Sequence, residues 1–315
     1  MTDFIISTDA CANVPNFIKE KYDVPVVPMP FSLNEPIGEK DALLLGIVKK
    51  TEYKRFDYRS DNCGMTMSEF YDKLQNGAIP LTSQANAHDT AEFLEPYLKE
   101  GKDVLHISFS SGMSGTYNSA CIAKKELQEK YPDRKIIVVD SLSGAGGQGL
   151  MLIDAFKQKE QGKSIEETAK YLEEEKLRYH HYFTVGDIKF IARSGRISSF
   201  QEIIGTLLGI TIILGIDSEG KVYPAAKVRG KKKVARKMLE LFEDNKGGQD
   251  NSTIIMSHGN CLDEIKELGE ELQAENSEVK NIDYDYVNML VGSNSGPGSL
   301  ALFFKGEKRT FVQNK

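Results

Sequence analysis

The sequence has no long apolar run, only four cysteines among its 315 residues and little clustered positive charge. No stretch approaches the roughly 20 apolar residues that a membrane-spanning helix needs, and the N-terminus lacks a basic segment followed by an apolar signal core. The cysteines are far apart, without a C-x-x-C pair or a zinc-ligand spacing, which favours reduced thiols and no metal site. We therefore expect a cytoplasmic protein without stable membrane insertion, for which transient membrane contact stays open.

The charge balance is acidic, with 40 Lys and Arg residues against 46 Asp and Glu residues and a formal net charge of -6 at pH 7. This balance argues against a nucleic-acid-binding protein, because such proteins need basic patches that neutralise phosphates. The one concentrated basic run, Arg229 to Lys233, is typical of a solvated helix start.

A length of 315 residues exceeds the usual size of one domain and suggests two. Strand and helix patterns alternate along the chain, which predicts α/β layers. The pattern shifts after a charged helix that ends near Lys176. We therefore predict an N-terminal α/β domain over residues 1–178 and a C-terminal α/β domain over residues 179–315.

One segment, residues 34–62, resists a single interpretation. It combines the apolar run Leu43 to Val48 with charged and aromatic residues such as Tyr53 and Phe56. A helix followed by a hairpin, or a mobile flap, both fit this mixture. The periodicity does not decide between them.

A strand pattern beginning at Leu105 runs into a Ser/Gly-rich turn that opens a helix. Ser110, Ser111 and Ser114 are well placed to cap that helix. The same turn aims hydroxyls and backbone N–H groups at one point, which suits a carboxylate or phosphate. A simple helix cap and an anion-binding site both fit the local pattern, because such turns are common in α/β domains.

Polar clusters recur where other predicted strands end, at Ser7 to Asp9, Thr82 to Gln84 and Asp140 to Ser141. In parallel α/β sheets, ligands bind outside the carboxyl ends of the strands, so these clusters are expected to share one crevice. Together they predict a hydroxyl-lined pocket for the head group of a small anionic ligand.

The common catalytic templates do not occur in this sequence, neither H-E-x-x-H, a Walker loop, a G-x-S-x-G elbow nor a G-x-G-x-x-G opening. The glycine-rich run Gly144 to Gly149 lacks the following Lys-Ser/Thr, which favours helix–strand packing over phosphate binding. His258 is the best-placed histidine, but a turn or cap role is favoured for it. The serines therefore lack a credible base, and binding explains them better than catalysis does.

Six motifs, in this order, resemble those of the DegV family over nearly the whole chain. They are T-S-Q at 82–84, I-S-F-S-S-G-M-S-G-T-Y-N-S-A at 107–120, V-V-D-S at 138–141 with G-Q-G-L at 147–150, S-G-R-I-S at 194–198, K-V-R-G-K-K-K at 227–233 and G-P-G-S-L-A-L-F-F at 296–304. The resemblance implies a two-domain α/β fold, with an N-terminal Rossmann-like domain built on a parallel sheet and a ligand tunnel between the domains. It also implies a protein that binds one long-chain fatty acid and no other cofactor.

The family includes fatty-acid-binding subunits of bacterial fatty acid kinase, which present the bound carboxylate to a separate ATP-binding subunit for phosphorylation to acyl phosphate. The resemblance therefore implies a lipid-binding subunit without catalytic residues of its own. It assigns three sets of residues. The carboxylate-binding set is Thr82, Ser83, Ser110, Ser111 and Ser114. The set facing the phosphate or the kinase partner is Arg196, Arg229 and Asn294. The acyl-tunnel set is Ile203, Leu207, Leu208, Ile210, Ile212 and Leu214.

Two departures from the family pattern concern the chemistry of the site. Kinase-linked members commonly carry a histidine two residues before G-P-G, where this chain has Asn294. Asparagine donates a hydrogen bond to an oxyanion but cannot carry a positive charge or shuttle a proton near neutral pH. T-S-Q-A-N also replaces the usual T-S-Q-P-S after Leu81, which bears on the pocket mouth.

Two other functions stay open at the level of sequence. A stand-alone acyl hydrolase or transferase requires His258 or Asp9 beside one of the serines. A regulatory protein that senses a lipid or a small anion is the other alternative. If its ligand is polar, large side chains must block the tunnel. The chain length and unsaturation of the acid are not encoded in a recognisable pattern.

Overall fold

The computed structural model describes residues 3–43, 47–61, 63–196 and 210–311, with side chains described outside 39–50 and 231–232. The strands are β1 (Phe4–Asp9), β2 (Val26–Val27), β3 (Pro30–Leu43), β4 (Ile47–Arg59), β5 (Ile79–Thr82), β6 (Asp103–Ser108), β7 (Ile136–Asp140), β8 (Tyr179–Phe183), β9 (Ile210–Ile216), β10 (Val222–Arg229), β11 (Thr253–His258), β12 (Asn281–Tyr286) and β13 (Leu300–Lys305). The helices are α1 (Asn16–Lys21), α2 (Met67–Gln75), α3 (Ala87–Lys99), α4 (Thr116–Lys130), α5 (Ala145–Glu160), α6 (Ile165–Glu175), α7 (Ile188–Ser194), α8 (Lys231–Asn245), α9 (Leu262–Glu275) and α10 (Met289–Ser295), with a 3-10 turn at Lys176–Arg178.

The first sheet has four parallel strands in the order β2-β1-β6-β7. Its strands are short apolar runs that are buried on both faces, as parallel strands between helices must be. Ile6, Leu105 and Val139 are all at most 2% exposed. The predicted N-terminal parallel sheet is thus confirmed.

The second sheet has six strands in the order β10-β9-β8-β13-β11-β12. Its pairings are antiparallel except for β11 with β12. Every strand of this sheet lies at or after Tyr179, and every strand of the first sheet lies before it. The predicted second α/β unit is confirmed, while the boundary at residue 178 stays a prediction.

Helix α5 packs against both sheets, touching β8, β11 and β13 on one side and β1 and β6 on the other. Its glycines permit this close approach. A Cβ added at Gly146 would overlap Phe303 and Ile255, and one at Gly147 would overlap the His181 ring. Helix–strand packing therefore accounts for the glycine-rich run, as the sequence predicts.

The third sheet is formed by the segment that the sequence left open. Strands β3 and β4 make a long antiparallel hairpin with a register shift at Pro36/Gly38. Strand β5 pairs with β3 only from Phe31 to Asn34. Of the alternatives that the sequence left open, the described residues form a hairpin without the preceding helix, because β3 and β4 pair almost throughout.

Helices α2 and α6 each begin at a capping box, in which the N-cap hydroxyl accepts from the N3 backbone and the N3 glutamate accepts from the N-cap backbone. The helices of the described ranges lack the combination of length and apolar character that a bilayer crossing requires.

Candidate functional site

A cavity lies between the carboxyl ends of the first-sheet strands and the face of the second sheet. The cavity has a volume of about 100 Å³, and the space outside protein atoms rises to about 870 Å³ when its open mouth is included. Most of the lining is apolar, contributed by Cys11, Met29, Phe109, Met113, Ala145, Phe183, Ile191, Ile216, Val222, Val287, Leu290, Val291, Ala301 and Phe303.

The polar lining includes residues from three of the predicted motifs. Thr82 and Ser83 follow from T-S-Q, Ser114 from the serine-rich turn and Arg196 from S-G-R-I-S. Asn294, the departure from the family pattern, lines the same cavity. The structure therefore brings together five of the eight predicted head-group and partner-facing residues.

Arg196 carries the one formal charge among the described lining residues, because His181 is held neutral. Helix α7 ends at Ser194, and Gly195 adopts a left-handed conformation with φ +65° that redirects the chain. The Arg196 guanidinium then donates to three neutral acceptors: the Met113 carbonyl at 3.1 Å, the Ser194 carbonyl at 3.3 Å and Asn294 Oδ1 at 3.1 Å.

No acidic side chain of the described ranges pairs with Arg196, although it is partly buried. A buried charge without a counter-ion is costly, so an anionic ligand that completes the pair stabilises this arrangement. The side chain is therefore arranged to receive a carboxylate or phosphate.

Asn294 lies in the short helix α10, and hydrogen bonds at both ends of this helix position its side chain. At the start of α10, Asn288 accepts from the backbone N–H groups of Leu290 and Val291 and donates to the Cys11 carbonyl at 2.9 Å. Asn294 Nδ2 in turn donates to the Leu290 carbonyl at 2.9 Å. Its amide oxygen is thereby left facing Arg196.

Thr82 ends strand β5, where it pairs with Phe31, and Ser83 donates its backbone N–H to the Pro30 carbonyl at 3.2 Å. The third sheet thus fixes the backbone of both residues. Within the described part of the chain, neither hydroxyl has a hydrogen-bond partner. Both hydroxyls can therefore donate to a ligand without breaking a bond.

Of the three serines in the serine-rich turn, only Ser114 lines the cavity. Its Oγ lies 2.9 Å from Thr116 Oγ1, in a pair where either atom can donate. If Thr116 donates, the Ser114 proton is free for a ligand oxygen.

The other two serines of the turn have structural partners. Ser110 is fully buried and donates through Oγ to the Gly220 carbonyl at 2.8 Å, which fastens the turn to the β9–β10 connection. Ser111 is exposed, and its backbone N–H donates to Asp140 Oδ1 at 3.1 Å. The structure does not bring these two hydroxyls to the cavity, and a carboxylate-binding role for them stays a prediction.

His181 lines the cavity on the second-sheet side but supplies no charge. The ring is buried, which lowers its pKa well below the ordinary value of 6.5. Its Nε2 accepts from the Gly144 backbone N–H at 3.4 Å. A neutral imidazole at this wall leaves Arg196 as the electrostatic focus for an anion.

Neither candidate base for a hydrolase lies on the cavity. His258 Nδ1 accepts from the Cys261 backbone N–H at 3.1 Å, the turn role that the sequence favours. Asp9 accepts from the Phe109 backbone N–H at 2.7 Å and from the Ser108 hydroxyl at 3.3 Å. Ser108 is fully buried and does not line the cavity, so the arrangement required for an acyl hydrolase is not formed.

The remaining predicted residues lie away from the cavity or outside the described ranges. Arg229 is exposed at the end of β10. Ile212 and Leu214 are buried in a small cluster with Ile191 and Val222, and Ile210 is partly buried on the same strand. Three tunnel predictions lie outside the described residues, namely Ile203, Leu207 and Leu208.

Sequence reasoning missed several lining residues, of which Ile216 and His181 are examples, whereas Gln84 lies in the predicted cluster Thr82 to Gln84 and lines the cavity. Ile216 has the same strand parity as Ile212 and Leu214, so alternation along β9 is the signal that finds it. His181 and Phe303 come from two paired strands of the second sheet, and no local pattern marks them as cavity residues.

Comparison with known proteins agrees with this fold. A family model described as an uncharacterised protein of the DegV family matches residues 54–307. A DegV domain-containing protein of Clostridium perfringens is 36% identical over 311 residues, covering 98% of this chain and 99% of the relative. The class defined here is thus an α/β protein with a cavity between its parallel first sheet and its mixed second sheet. The chain belongs to the DegV family.

Solved structures share the whole fold. A protein from Thermus thermophilus, described as a fatty-acid-binding DegV family protein, superposes with a TM-score of 0.79 at 27% identity, covering 97% of this chain and 100% of that chain. A DegV lipid-binding protein from Thermotoga maritima gives a TM-score of 0.76 at 27% identity, over 98% and 100%. DegV of Bacillus subtilis, described as a fatty-acid-binding protein, gives 0.76 at 26% identity, also over 98% and 100%.

Proposed function

We propose that this protein binds a long-chain fatty acid in the cavity, with the carboxylate against Arg196, Thr82 and Ser114. The observation that carries the proposal is an apolar cavity whose described lining holds one charge, an arginine without an acidic partner. An amphiphile with one anionic end and an apolar body matches that distribution. The solved relatives described as fatty-acid-binding or lipid-binding support the same ligand class.

We further propose that the bound carboxylate is presented to a separate ATP-binding kinase subunit for phosphorylation. The family resemblance supports this step, and Arg229 on the exposed end of β10 is the residue assigned to the partner. Arginine suits such a contact because its planar fork binds phosphate in a bidentate geometry. The cytoplasm is the expected compartment for both subunits.

Mass spectrometry of ligand extracted from the purified, natively folded protein tests the first proposal. We expect a long-chain fatty acid in near-stoichiometric amount, and a higher melting temperature after addition of that acid. A ligand that binds only the native state at about 100 times its Kd stabilises folding by roughly 2.7 kcal/mol. Recovery of polar metabolites alone, with no stabilisation by any fatty acid, would falsify the proposal.

An assay reconstituted with the kinase subunit tests the second proposal. Arg229→Glu is expected to abolish ATP-dependent acyl phosphate formation while leaving the fatty acid Kd unchanged. Asn294→His is expected to raise turnover, because an imidazole can shuttle a proton near neutral pH. If the isolated protein consumes ATP, or if Arg229→Glu loses lipid and activity together, presentation to a partner is not its role.

A further inference from the structure

The hairpin of β3 and β4 extends well beyond the sheet that anchors it. Strand β5 covers β3 only as far as Asn34, whereas the β3–β4 pairing continues to Leu43 and Ile47. At about 3.3 Å per residue, the part beyond Asn34 projects by roughly 30 Å. We call this part, residues 35–43 and 47–54, the arm.

Glu35 at the base of the arm pairs with Lys73 of α2 at 2.9 Å, whereas apolar side chains further along the arm are exposed. Ile37 is 61% exposed and Tyr53 is 44% exposed. A Cβ added at Gly38 would meet no other atom within 4 Å. A two-stranded ribbon alone is only marginally stable in water, so a surrounding outside the described residues would stabilise an arm of this length.

The pairing register places apolar residues at the end of the arm on both of its faces. Ala42 pairs with Val48, and Leu43 pairs with Ile47. Because successive pairs of a ribbon alternate between its faces, these two pairs make both faces apolar at the same end. A protein groove covers one face of a ribbon, whereas a lipid layer surrounds both.

The next two pairs toward the base carry mostly positive charge. They are Asp41 with Lys49 and Lys40 with Lys50, again on alternate faces. An apolar end followed by a basic zone is the arrangement of segments that insert shallowly into anionic membranes, where each Lys near the surface contributes favourably. Other exposed apolar residues, such as Ile122 on α4, lack this register of basic pairs.

We propose that the arm docks this protein on anionic membranes, with the pairs Ala42/Val48 and Leu43/Ile47 entering the lipid boundary and the lysine pairs lying at the headgroups. Its use in collecting or delivering acyl chains rests on the proposed function. The docking itself rests only on the register and composition of the arm.

Co-sedimentation of the full-length protein with vesicles tests the proposal. Vesicles of phosphatidylglycerol and phosphatidylethanolamine in equal parts are compared with vesicles of phosphatidylcholine alone. We expect wild type to prefer the anionic vesicles, and Leu43→Ser/Ile47→Ser to lower that partition at least tenfold. Lys49→Gln/Lys50→Gln is expected to lower it by about fivefold for each lysine, and only on the anionic vesicles.

The controls are Ile122→Ser, an apolar residue that is 53% exposed on α4, and Lys125→Gln/Lys170→Gln, two exposed lysines on other helices. Both are expected to partition as wild type does. The proposal fails if wild type shows no preference for anionic vesicles, or if both arm variants bind them like wild type. It also fails if the arm variants bind vesicles as wild type does but differ from it in oligomeric state, as measured by light scattering. That result would assign the arm to contact with a second copy of the chain.

Ligand extraction on the same samples separates this proposal from the function. Arm variants are expected to keep their bound fatty acid, since the cavity is built from other elements. Vesicle binding without any extracted fatty acid would overturn the function and leave docking standing. Extracted fatty acid without vesicle binding would overturn docking alone.

Discussion

Arg196 Nη1 lies 3.1 Å from Asn294 Oδ1, although 98 residues separate the two positions in the chain. The guanidinium has five N–H donors, and three of them point at the Met113, Ser194 and Asn294 oxygens. Among described residues, the two N–H groups of Nη2 have no acceptor. The asparagine therefore orients the arginine, so that the Nη2 edge, which bonds none of the described residues, can donate to a ligand oxygen.

Replacing Arg196 by methionine removes this edge while keeping an unbranched apolar side chain. A hydrogen bond to a charged group contributes about 1.5–3 kcal/mol, so we expect the Kd for a long-chain fatty acid to rise at least tenfold. Arg193→Met, at an exposed arginine over the Phe190 ring, is the matched control. Titration calorimetry measures both. Equal affinities for the two variants would place the carboxylate elsewhere.

Thr82→Val and Ser114→Ala each remove one hydroxyl with little change in volume. We expect about a tenfold loss of fatty acid affinity from each, because a lost bond to a carboxylate costs about 1.5–3 kcal/mol. The melting temperature without ligand is expected to change little, since no described residue bonds the Thr82 hydroxyl. Ser111→Ala, whose hydroxyl lies off the cavity, is expected to bind as wild type. Loss of affinity in Ser111→Ala but not in the other two would contradict this assignment.

Gly147→Ala is expected to destabilise the fold by about 1–3 kcal/mol, the usual cost of overpacking. The added methyl would overlap the His181 ring, which is buried and has little room to move. Gly248→Ala is the control, because a Cβ there meets open space. Urea denaturation of both variants gives the difference. A free energy of unfolding for Gly147→Ala equal to that of Gly248→Ala would show that helix α5 is not held as closely as described.

Burial raises the pKa of the Asp9 carboxyl to about 6 from an ordinary value of 3.8, against the opposing hydrogen bonds from Phe109 and Cys11. The native state therefore holds this proton between pH 4 and 6 while the unfolded state has released it. Stability from this group is present below pH 4 and falls by about 1.4 kcal/mol per unit as the pH rises to 6.

Comparison with Asp9→Asn isolates that slope, because other titrating groups contribute equally to both proteins. One of them is His106, whose pKa burial lowers to about 4, and which contributes a slope of opposite sign. We expect the stability of wild type relative to Asp9→Asn to fall across pH 4–6, measured by urea denaturation. A flat difference for Asp9→Asn would mean that the carboxyl titrates normally.

The sequence predicted the parallel first sheet and the polar residues at strand ends because both depend on local patterns. Ser114 lies in the turn between the buried strand β6 and helix α4, at the carboxyl end of the parallel first sheet, where ligands usually bind. Thr82 ends β5, a short strand of the third sheet, and was marked only by the polar cluster in which it lies.

The parts that escaped prediction depend on contacts between distant segments. The contact between Arg196 and Asn294 needs the turn at Gly195 and the helix α10 to meet, which no spacing encodes. The hairpin escaped because the run Leu43 to Val48 has no alternation, and its strands are defined by each other through cross-strand pairs. The alternation of side chains along β9 can be read from the sequence. Which of its two faces meets the cavity is known only from the structure, in which Ile216 lines it.

Helix α5 begins at the cavity wall, with Ala145 in the lining, and continues between the two sheets. Its side chains share one apolar cluster with Ile6 and Leu105 of the first sheet and with Ile255 and Phe303 of the second. Neither sheet can lose its order without exposing the surface that this helix covers for the other. We therefore expect the two units to melt in a single cooperative transition, with equal calorimetric and van't Hoff enthalpies, so that a ligand bound in the cavity stabilises both units together.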